Sequence, residues 1–158
     1  CLCLCLCLCL CLCLCLCLFS SHSLAQVRNV TIRDSVLHGT NLAVRIKSMR
    51  GRGGGIEDVV YSNLTGSASG AIQLTLNYHS GVPPTNASAT PVLRGITIRD
   101  VHVKTSRSFL ECNGIPESPI AGIVFENVVV TGSSKETCSS CTIAASATSP
   151  ALEAACTG

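Results

Sequence analysis

The sequence predicts an all-β fold, a β-helix built from stacked coils, because one short pattern recurs along it. The four copies read VRNVTIRD, IEDVVYSN, LRGITIRD and IAGIVFEN, and they begin at residues 27, 56, 93 and 120. A repeat of roughly 20 to 50 residues is typical of solenoids, whose units bury their apolar faces against their neighbours. Apolar residues within each copy are spaced by two, which is the period of a strand and not of a helix. Each unit is therefore predicted to be a β coil.

A second strand-like run follows each of the first three copies. These runs occupy residues 42–47, 71–76 and 109–113. In the first run Val44 and Ile46 are predicted to face inward. Arg45 and Lys47 then face outward on the same side of the strand.

The Asn or Asp that ends each copy is predicted to occupy a turn. A short polar side chain can hydrogen-bond nearby backbone, and both residue types tolerate left-handed backbone geometry. Stacked in successive coils, these side chains could form a ladder; the alternative is that any strand end attracts Asn or Asp. The four positions are Asp34, Asn63, Asp100 and Asn127.

The chain is expected to divide into coils over residues 19–132 and a C-terminal cap over residues 133–158, where the repeat is lost. An uncapped end coil would expose its core and its strand edges. Residues 81–91, rich in Pro, Asn and Ser, predict a loop that lengthens one coil. Residues 50–55, RGRGGG, predict a tight, mobile turn. No Gly-Lys-Ser/Thr and no helix follow this turn, so it is not a phosphate-binding loop.

Residues 1–18 are nine copies of Cys-Leu and resemble nothing else in the chain. The tract has no polar face, and it lacks the basic flank and cleavage site of a signal peptide. It has the length of a marginal membrane helix. We expect a translated nucleotide repeat that lies outside the fold; a membrane-inserting segment and a metal-binding Cys tract are the alternatives. The chain does not begin with Met, which favours a fragment.

Composition outside this tract indicates one domain with few charges. The whole chain has 11 Lys and Arg, 9 Asp and Glu, and no basic run suited to nucleic acid. We expect a monomer with no nucleic-acid partner, no membrane association, no cofactor and no metal site.

Cysteines and glycosylation sequons favour a secreted protein. Three of the four Cys outside the tract lie after residue 137, and three Asn-x-Ser/Thr sequons occur. Together these features favour an oxidising, extracellular context. Cys138-x-x-Cys141 could instead indicate redox chemistry or zinc, but no second pair and no suitable His follow it. The cysteines are Cys112, Cys138, Cys141 and Cys156, and the sequons begin at Asn29, Asn63 and Asn86.

The string Arg45-Ile46-Lys47 is the most specific candidate for binding. Two cations at i and i+2 on a strand project from the same face, roughly 7 Å apart. Arg offers a planar fork for a carboxylate and Lys a point charge, so the pair suits an anionic ligand. The alternative is an ordinary solvated strand face.

The surroundings of this string resemble glycoside hydrolase family 28, the polygalacturonase family of pectin-degrading enzymes. Its members carry Arg-Ile-Lys before a Gly-rich turn, an Asn-Val-Thr-Ile type strand, and a Tyr at the end of the next coil's strand. Here Arg45-Ile46-Lys47, residues 29–32 and Tyr78 stand in the matching places. The strings PPTNASATPVLRGITI and GIPESPIAGIVFENV also resemble that family's C-terminal third. The resemblance implies a right-handed parallel β-helix, truncated at its N-terminal side.

The resemblance also implies residue roles. Arg45 and Lys47 would bind the uronate carboxylate beside the cleaved bond, and Tyr78 would help to shape the same cleft. No catalytic residue is expected, because the family's Asn-Thr-Asp segment, Asp-Asp pair and Gly-His-Gly segment do not occur in this sequence. His22 is not flanked by glycines and is not assigned the role of the family's His. Glu111 could face the same side as Lys47, but inverting hydrolysis needs two carboxyl groups; a solvated or salt-bridged residue is expected.

The family's habit of a C-terminal disulfide implies a bond between Cys138 and Cys156, with Cys141 as the competing partner. Cys112 alternates inward with Leu110 and is predicted to be a buried free thiol.

The resemblance thus implies the C-terminal part of a secreted or cell-wall hydrolase that cleaves α-1,4-linked galacturonan with inversion and has acidic polysaccharide as its partner. This chain would keep part of the substrate cleft and be inactive by itself. One alternative is a non-catalytic pectin- or polyanion-binding β-helix, which needs Arg45 and Lys47 but no acids. The other is a purely structural solenoid.

Overall fold

The computed structural model describes residues 3–8, 12–15, 26–79, 81–153 and 156. The strands are β1 (Cys3–Leu8), β2 (Leu12–Cys15), β3 (Gln26–Lys47), β4 (Gly55–Thr75), β5 (Val92–Asn113), β6 (Ile120–Thr131), β7 (Glu136–Ser139) and β8 (Cys141–Ser149). A short 3-10 helix, Ala87–Ala89, lies between β4 and β5. The lead-in residues 19–25, with His22, and the cap residues 154, 155, 157 and 158 lie outside the described residues.

The long strands stack in parallel, one coil upon the next. The order is β3, β4, β5, β6 and β8, and β7 also pairs with β5 in parallel. The copies of the repeat lie in register, since Val27 pairs with Ile56, Ile56 with Leu93, and Ile96 with Ile123. The fold is a parallel β-helix, which confirms the predicted fold class.

The repeat bends each coil at two left-handed positions. The Asn or Asp that ends each copy has φ between 52° and 54°, and the third residue of each copy has φ between 55° and 67°. Non-glycine residues rarely adopt this region, but Asn and Asp do so at low cost. The end positions are Asp34, Asn63, Asp100 and Asn127, and the third positions are Asn29, Asp58, Gly95 and Gly122.

The predicted ladder of turn side chains is present as two hydrogen-bonded pairs. Asn63 Nδ2 donates to Asp34 Oδ1 at 2.8 Å, and Asn127 Nδ2 donates to Asp100 Oδ1 at 2.9 Å. Each pair joins the same corner of two successive coils. The side chains that permit the bend therefore also help to hold the coils in register.

Inward side chains of successive coils stack into one core. Ile32, Tyr61, Ile98 and Phe125 lie in register with one another, and none is more than 9% exposed. Burying a large apolar side chain stabilises a fold by about 1.5–3 kcal/mol. The solenoid is therefore held together by contacts between neighbouring coils, as the repeat predicts.

Parts of the Cys-Leu tract pair with the first coil, which differs from our expectation that residues 1–18 lie outside the fold. β1 runs antiparallel to the end of β3, with Cys5 opposite Arg45 and Cys3 opposite Lys47, and β2 pairs with β1. An edge strand presents unpaired N–H and C=O groups that another extended segment can satisfy. The composition and periodicity of the tract do not indicate that it pairs with that edge.

Among the described residues, one disulfide lies within the cap and another ties the cap to β5. The structure joins Cys138 to Cys156, the pair that the resemblance implies, with their Cα atoms 5.6 Å apart. Cys112 is fully buried but bonded to Cys141, with a Cα–Cα distance of 6.1 Å, so the prediction of a free thiol was wrong. Alternation along β5 correctly predicts that Cys112 faces inward. It does not indicate that Cys141 of the next coil also faces the core.

Candidate functional site

Arg45 and Lys47 project from the outer face of β3 close to its end. Val44 and Ile46, which alternate with them, are fully buried in the core. The two cationic side chains are each partly buried. Packing of the alternate residues therefore orients both cations toward the same side of the coil.

Tyr78 is brought to these cations by the turns that follow two neighbouring strands. The Ser48 N–H donates to the carbonyl of Thr75 at 2.8 Å, and the Tyr78 N–H donates to the carbonyl of Ser48 at 3.2 Å. These bonds continue the pairing of coils beyond the strand ends. The Tyr78 ring is thereby held next to the outer face of β3.

The three side chains form one cluster. Lys47 Nζ lies 4.2 Å from the centroid of the Tyr78 ring, and Arg45 Cζ lies 5.4 Å from it. Both distances allow cation–π attraction. Hydrogen bonding to Lys47, together with the charges of Lys47 and Arg45, lowers the pKa of Tyr78 below its usual value. His79, which sequence reasoning missed, packs edge-on against Tyr78 at a centroid distance of 4.9 Å.

Two further coils extend this outer face. Gln73 lies opposite Arg45, and Glu111 lies opposite Gln73. The Glu111 carboxylate accepts hydrogen bonds from Gln73 Nε2 at 3.0 Å and from Asn113 Nδ2 at 3.1 Å. Glu111 is thus partly buried and held by two neutral amides, where a solvated or salt-bridged residue was expected. Alternation along β4 predicts that Gln73 and Thr75 face outward; Gln73 is partly exposed, but Thr75 is only 2% exposed. The pairing of Gln73 with Glu111 follows from register.

An ion pair ties together the loops beside the cluster. Arg50 donates from Nε and Nη2 to the two carboxylate oxygens of Glu117, with the Nη2 bond at 2.9 Å, and from Nη1 to the carbonyl of Val82 at 3.2 Å. The Arg50 and Glu117 side chains are 12% and 27% exposed. Hydrogen bonding to Arg50 lowers the pKa of Glu117 to about 2. Three loops that are remote in sequence are therefore fixed relative to one another.

The glycine-rich turn docks closely on the loop between β4 and β5. The N–H groups of Gly51 and Gly53 both donate to the Ala89 carbonyl, at 3.0 and 2.9 Å. Gly53 has a φ of 57°, and a Cβ there would lie 2.2 Å from the carbonyl oxygen of Ser88. Glycine is thus required at this position by both backbone conformation and space.

The acidic residues of the repeat serve structural roles away from the cluster. Asp34 and Asp100 accept the hydrogen bonds of the turn ladder. Glu57 is 9% exposed and accepts from Arg28 and Arg94.

One acidic group in the cap lies near sulfur atoms. Glu136, Cys138 and Cys156 have potential ligand atoms within 4.8 Å of one another. Both sulfurs belong to the same disulfide, so they offer no thiolate to a metal ion. Burial raises the pKa of Glu136, whose carboxylate accepts from the N–H of Glu153. The arrangement is that of a structural cap.

The three sequons lie on the surface in different settings. The side chains of Asn29, Asn63 and Asn86 are all exposed. Asn63 uses its amide nitrogen in the turn ladder. Asn86 Oδ1 accepts from the Ala89 N–H at 3.0 Å and so caps the 3-10 helix.

Comparison with known proteins places this chain in a family. The sequence profile of Glycosyl hydrolases family 28 matches residues 18–152. A probable polygalacturonase of Vitis vinifera is 30% identical over 106 residues, covering 66% of this chain and 22% of the relative. An endopolygalacturonase II of Aspergillus niger is 29% identical over 122 residues, covering 70% of this chain and 32% of the relative.

The chain thus spans between about a fifth and a third of the length of these relatives. No solved structure matches it. Among the described residues, no helix is long and apolar enough to cross a membrane. The family profile matches most of the chain, and the matched residues form a parallel β-helix. This protein therefore belongs to glycosyl hydrolase family 28.

Proposed function

We propose that this chain forms the part of a polygalacturonase-type cleft that holds a uronate carboxylate of the polysaccharide. The observation that carries the proposal is the cluster of Arg45, Lys47 and Tyr78, in which both cations lie within 5.4 Å of one aromatic ring. The chain belongs to a family of glycosyl hydrolases, and one of its relatives is an endopolygalacturonase. Both findings support the same assignment.

The chemistry of the cluster suits a sugar acid. The Arg45 guanidinium can donate two parallel hydrogen bonds to a carboxylate, and the Lys47 ammonium adds a second positive charge. The Tyr78 ring offers an apolar surface to the sugar and lies against both cations. The partner is an acidic polysaccharide such as galacturonan.

The full-length protein is proposed to hydrolyse α-1,4-linked galacturonan with inversion. That reaction needs a general acid and a general base about 6.5–9.5 Å apart. The family's carboxylate segments are absent from this sequence, so the chain supplies binding and not bond cleavage. By itself it is expected to be inactive.

A non-catalytic pectin-binding β-helix is the second candidate. It is favoured by the setting of Glu111, the carboxylate that the register brings to this face. Two neutral amides hold Glu111, and the described lining of its recess contains no second carboxyl group, whereas inverting hydrolysis needs two. Such a protein would use the same cations without any turnover. Two disulfides and three exposed sequons support secretion to the extracellular space or cell wall.

The test measures binding and cleavage by the whole chain. We expect weak, salt-sensitive binding of oligogalacturonate, since charge–charge contacts at a surface are screened. Arg45→Ala with Lys47→Ala should weaken it about tenfold. The control is Arg33→Ala, an arginine at a different corner whose side chain is 72% exposed.

Release of reducing ends from polygalacturonate should be undetectable. Turnover that disappears in the double variant would reveal a catalytic carboxylate in this chain, with Glu111 the first residue to replace. A folded sample that binds no oligogalacturonate would contradict the proposal and favour a structural solenoid.

A further inference from the structure

Four cysteines meet where the last coils join the cap. Cys112 of β5 is bonded to Cys141 of β8. Cys138 of β7 is bonded to Cys156. Each of the four belongs to the hydrophobic core or packs against it. The function proposed above uses none of these sulfur atoms.

Register gives Cys112 a second neighbouring cysteine. Cys138 lies directly opposite it on the adjacent parallel strand. Residues that pair in this way point to the same side of the sheet, and neighbouring strands lie about 4.8 Å apart. Disulfides usually join Cα atoms about 4.4–6.8 Å apart. The geometry therefore allows Cys112 to bond either to Cys141, as observed, or to Cys138.

Access from solvent distinguishes the two disulfides. Cys112 and Cys141 are 0% and 7% exposed, so both sulfur atoms of their bond are buried. Cys156 is 1% exposed, but its partner Cys138 is only partly buried. Thiol–disulfide exchange requires access to a sulfur atom. A small thiol in solution therefore reaches Cys138 more readily than either member of the Cys112–Cys141 bond.

We propose that the cap is a redox-sensitive device in which reduction of one disulfide causes the other to exchange. A small dithiol attacks Cys138, and Cys156 leaves as a thiolate. The second thiol of the reductant then releases the Cys138 thiolate, and the reductant becomes a disulfide. Cys138 attacks the Cys112 sulfur, the Cys112–Cys138 bond forms, and Cys141 leaves as a thiolate. Two electrons have passed from the dithiol to the protein, which now holds one of these disulfides and two protonated thiols.

The exchange moves a covalent tie from β8 to β7. Residues 140–158 lose both of their described disulfides, whereas β7 becomes bonded to β5. A cap covers the core and the strand edges of an end coil. The device would therefore release the cap while the coil beneath it keeps a disulfide.

The test follows each cysteine of the whole chain by mass spectrometry. Free thiols, including those of residues 1–18, are first blocked with N-ethylmaleimide. The folded chain then receives limiting dithiothreitol, and iodoacetamide traps the newly freed thiols. Digestion after glutamate places the four cysteines on three peptides, and fragmentation locates the label on the peptide that holds two of them; the peptides carry Cys112, then Cys138 with Cys141, then Cys156.

In the wild-type chain we expect label on Cys141 and Cys156, with Cys112 linked to Cys138. The matched variant is Cys138→Ser, which lacks the attacking thiol. The same treatment should leave its Cys112–Cys141 bond intact and Cys141 unlabelled. Label on Cys138 and Cys156 of the wild type, with Cys112 still bonded to Cys141, would overturn the proposal. Equal labelling of Cys141 in the variant and the wild type would overturn it too, because that bond would then be reduced directly.

A second variant covers the case in which Cys138→Ser does not fold. Cys156→Ser leaves Cys138 without its partner, so exchange at Cys112 needs no reductant. We expect the free-thiol label in this variant to divide between Cys138 and Cys141. Label confined to Cys138 would show that Cys138 does not attack the Cys112–Cys141 bond, and the proposal would be wrong.

Discussion

Glu57 provides the sharpest test of how the coils are joined. It belongs to β4 and is flanked in register by Arg28 of β3 and Arg94 of β5. Glu57 Oε2 lies 3.1 Å from Arg28 Nη2 and 2.9 Å from Arg94 Nη2. One carboxylate thus bridges three successive coils. The perturbation is Glu57→Gln, which removes the charge and keeps the shape.

The expected loss of stability in Glu57→Gln follows from the unequal exposure of the three side chains. Glu57 is 9% exposed, whereas Arg28 and Arg94 are 46% and 61% exposed. The arginines can rehydrate when the charge is removed, so each pair counts as a surface salt bridge worth about 0.2–1 kcal/mol. Gln retains one acceptor for one arginine. The free energy of unfolding should therefore fall by about 1 kcal/mol, which lowers Tm by roughly 2–8 °C in a domain of this size.

Thermal and urea unfolding of the wild-type chain, Glu57→Gln and the control Glu126→Gln provide the assay. The control removes an exposed acid from β6 and should alter stability by less than about 0.5 kcal/mol. The difference between Glu57→Gln and the wild type should also shrink in 1 M salt, where the Debye length is only about 3 Å. Equal effects of the two substitutions would refute the view that the bridge joins the coils.

Other predictions concern the loops beside the cluster. Because the pKa of Glu117 is about 2 in the folded chain and 4.5 is its ordinary value, the ion pair with Arg50 contributes stability above about pH 4.5. The stability difference between wild type and Glu117→Gln should therefore fade as pH decreases from 4.5 toward 2, and a constant difference over that window would contradict the assigned pKa. Gly53→Ala should cost about 1–3 kcal/mol because its Cβ would collide with the Ser88 carbonyl. Gly51→Ala, which has a φ of 87° but open space around it, is the control for backbone strain.

Much of the coil can be predicted from local sequence because its causes are local. Spacing by two assigns Val44 and Ile46 to the core and Arg45 and Lys47 to the outer face. Asn or Asp at the end of each copy of the repeat predicts a left-handed bend, and the observed φ values of 52° to 54° agree. A strand period and a turn preference each depend on a few neighbouring residues, so one copy of the repeat suffices to recognise them.

Contacts between coils were decided by the tertiary structure. Glu111 and Gln73 are 38 residues apart, Arg50 and Glu117 are 67 apart, and their meeting depends on register and on loop paths. Cys112 shows the limit most clearly. Its inward direction follows from alternation in β5, but its partner Cys141, 29 residues later, is chosen by how the cap turns over the last coil.

In the proposed binding cluster, too, one part can be predicted from local sequence and another depends on the stacking of the coils. Alternation places Arg45 and Lys47 together, because both lie on one strand. The aromatic member, Tyr78, was suggested by resemblance alone, and its ring lies 4.2 Å from Lys47 Nζ because two coils are hydrogen-bonded through their turns. Local sequence determines which way each side chain faces. Which residues then become neighbours is decided by the stacking of coils, since that stacking sets distances between parts of the chain that are remote in sequence.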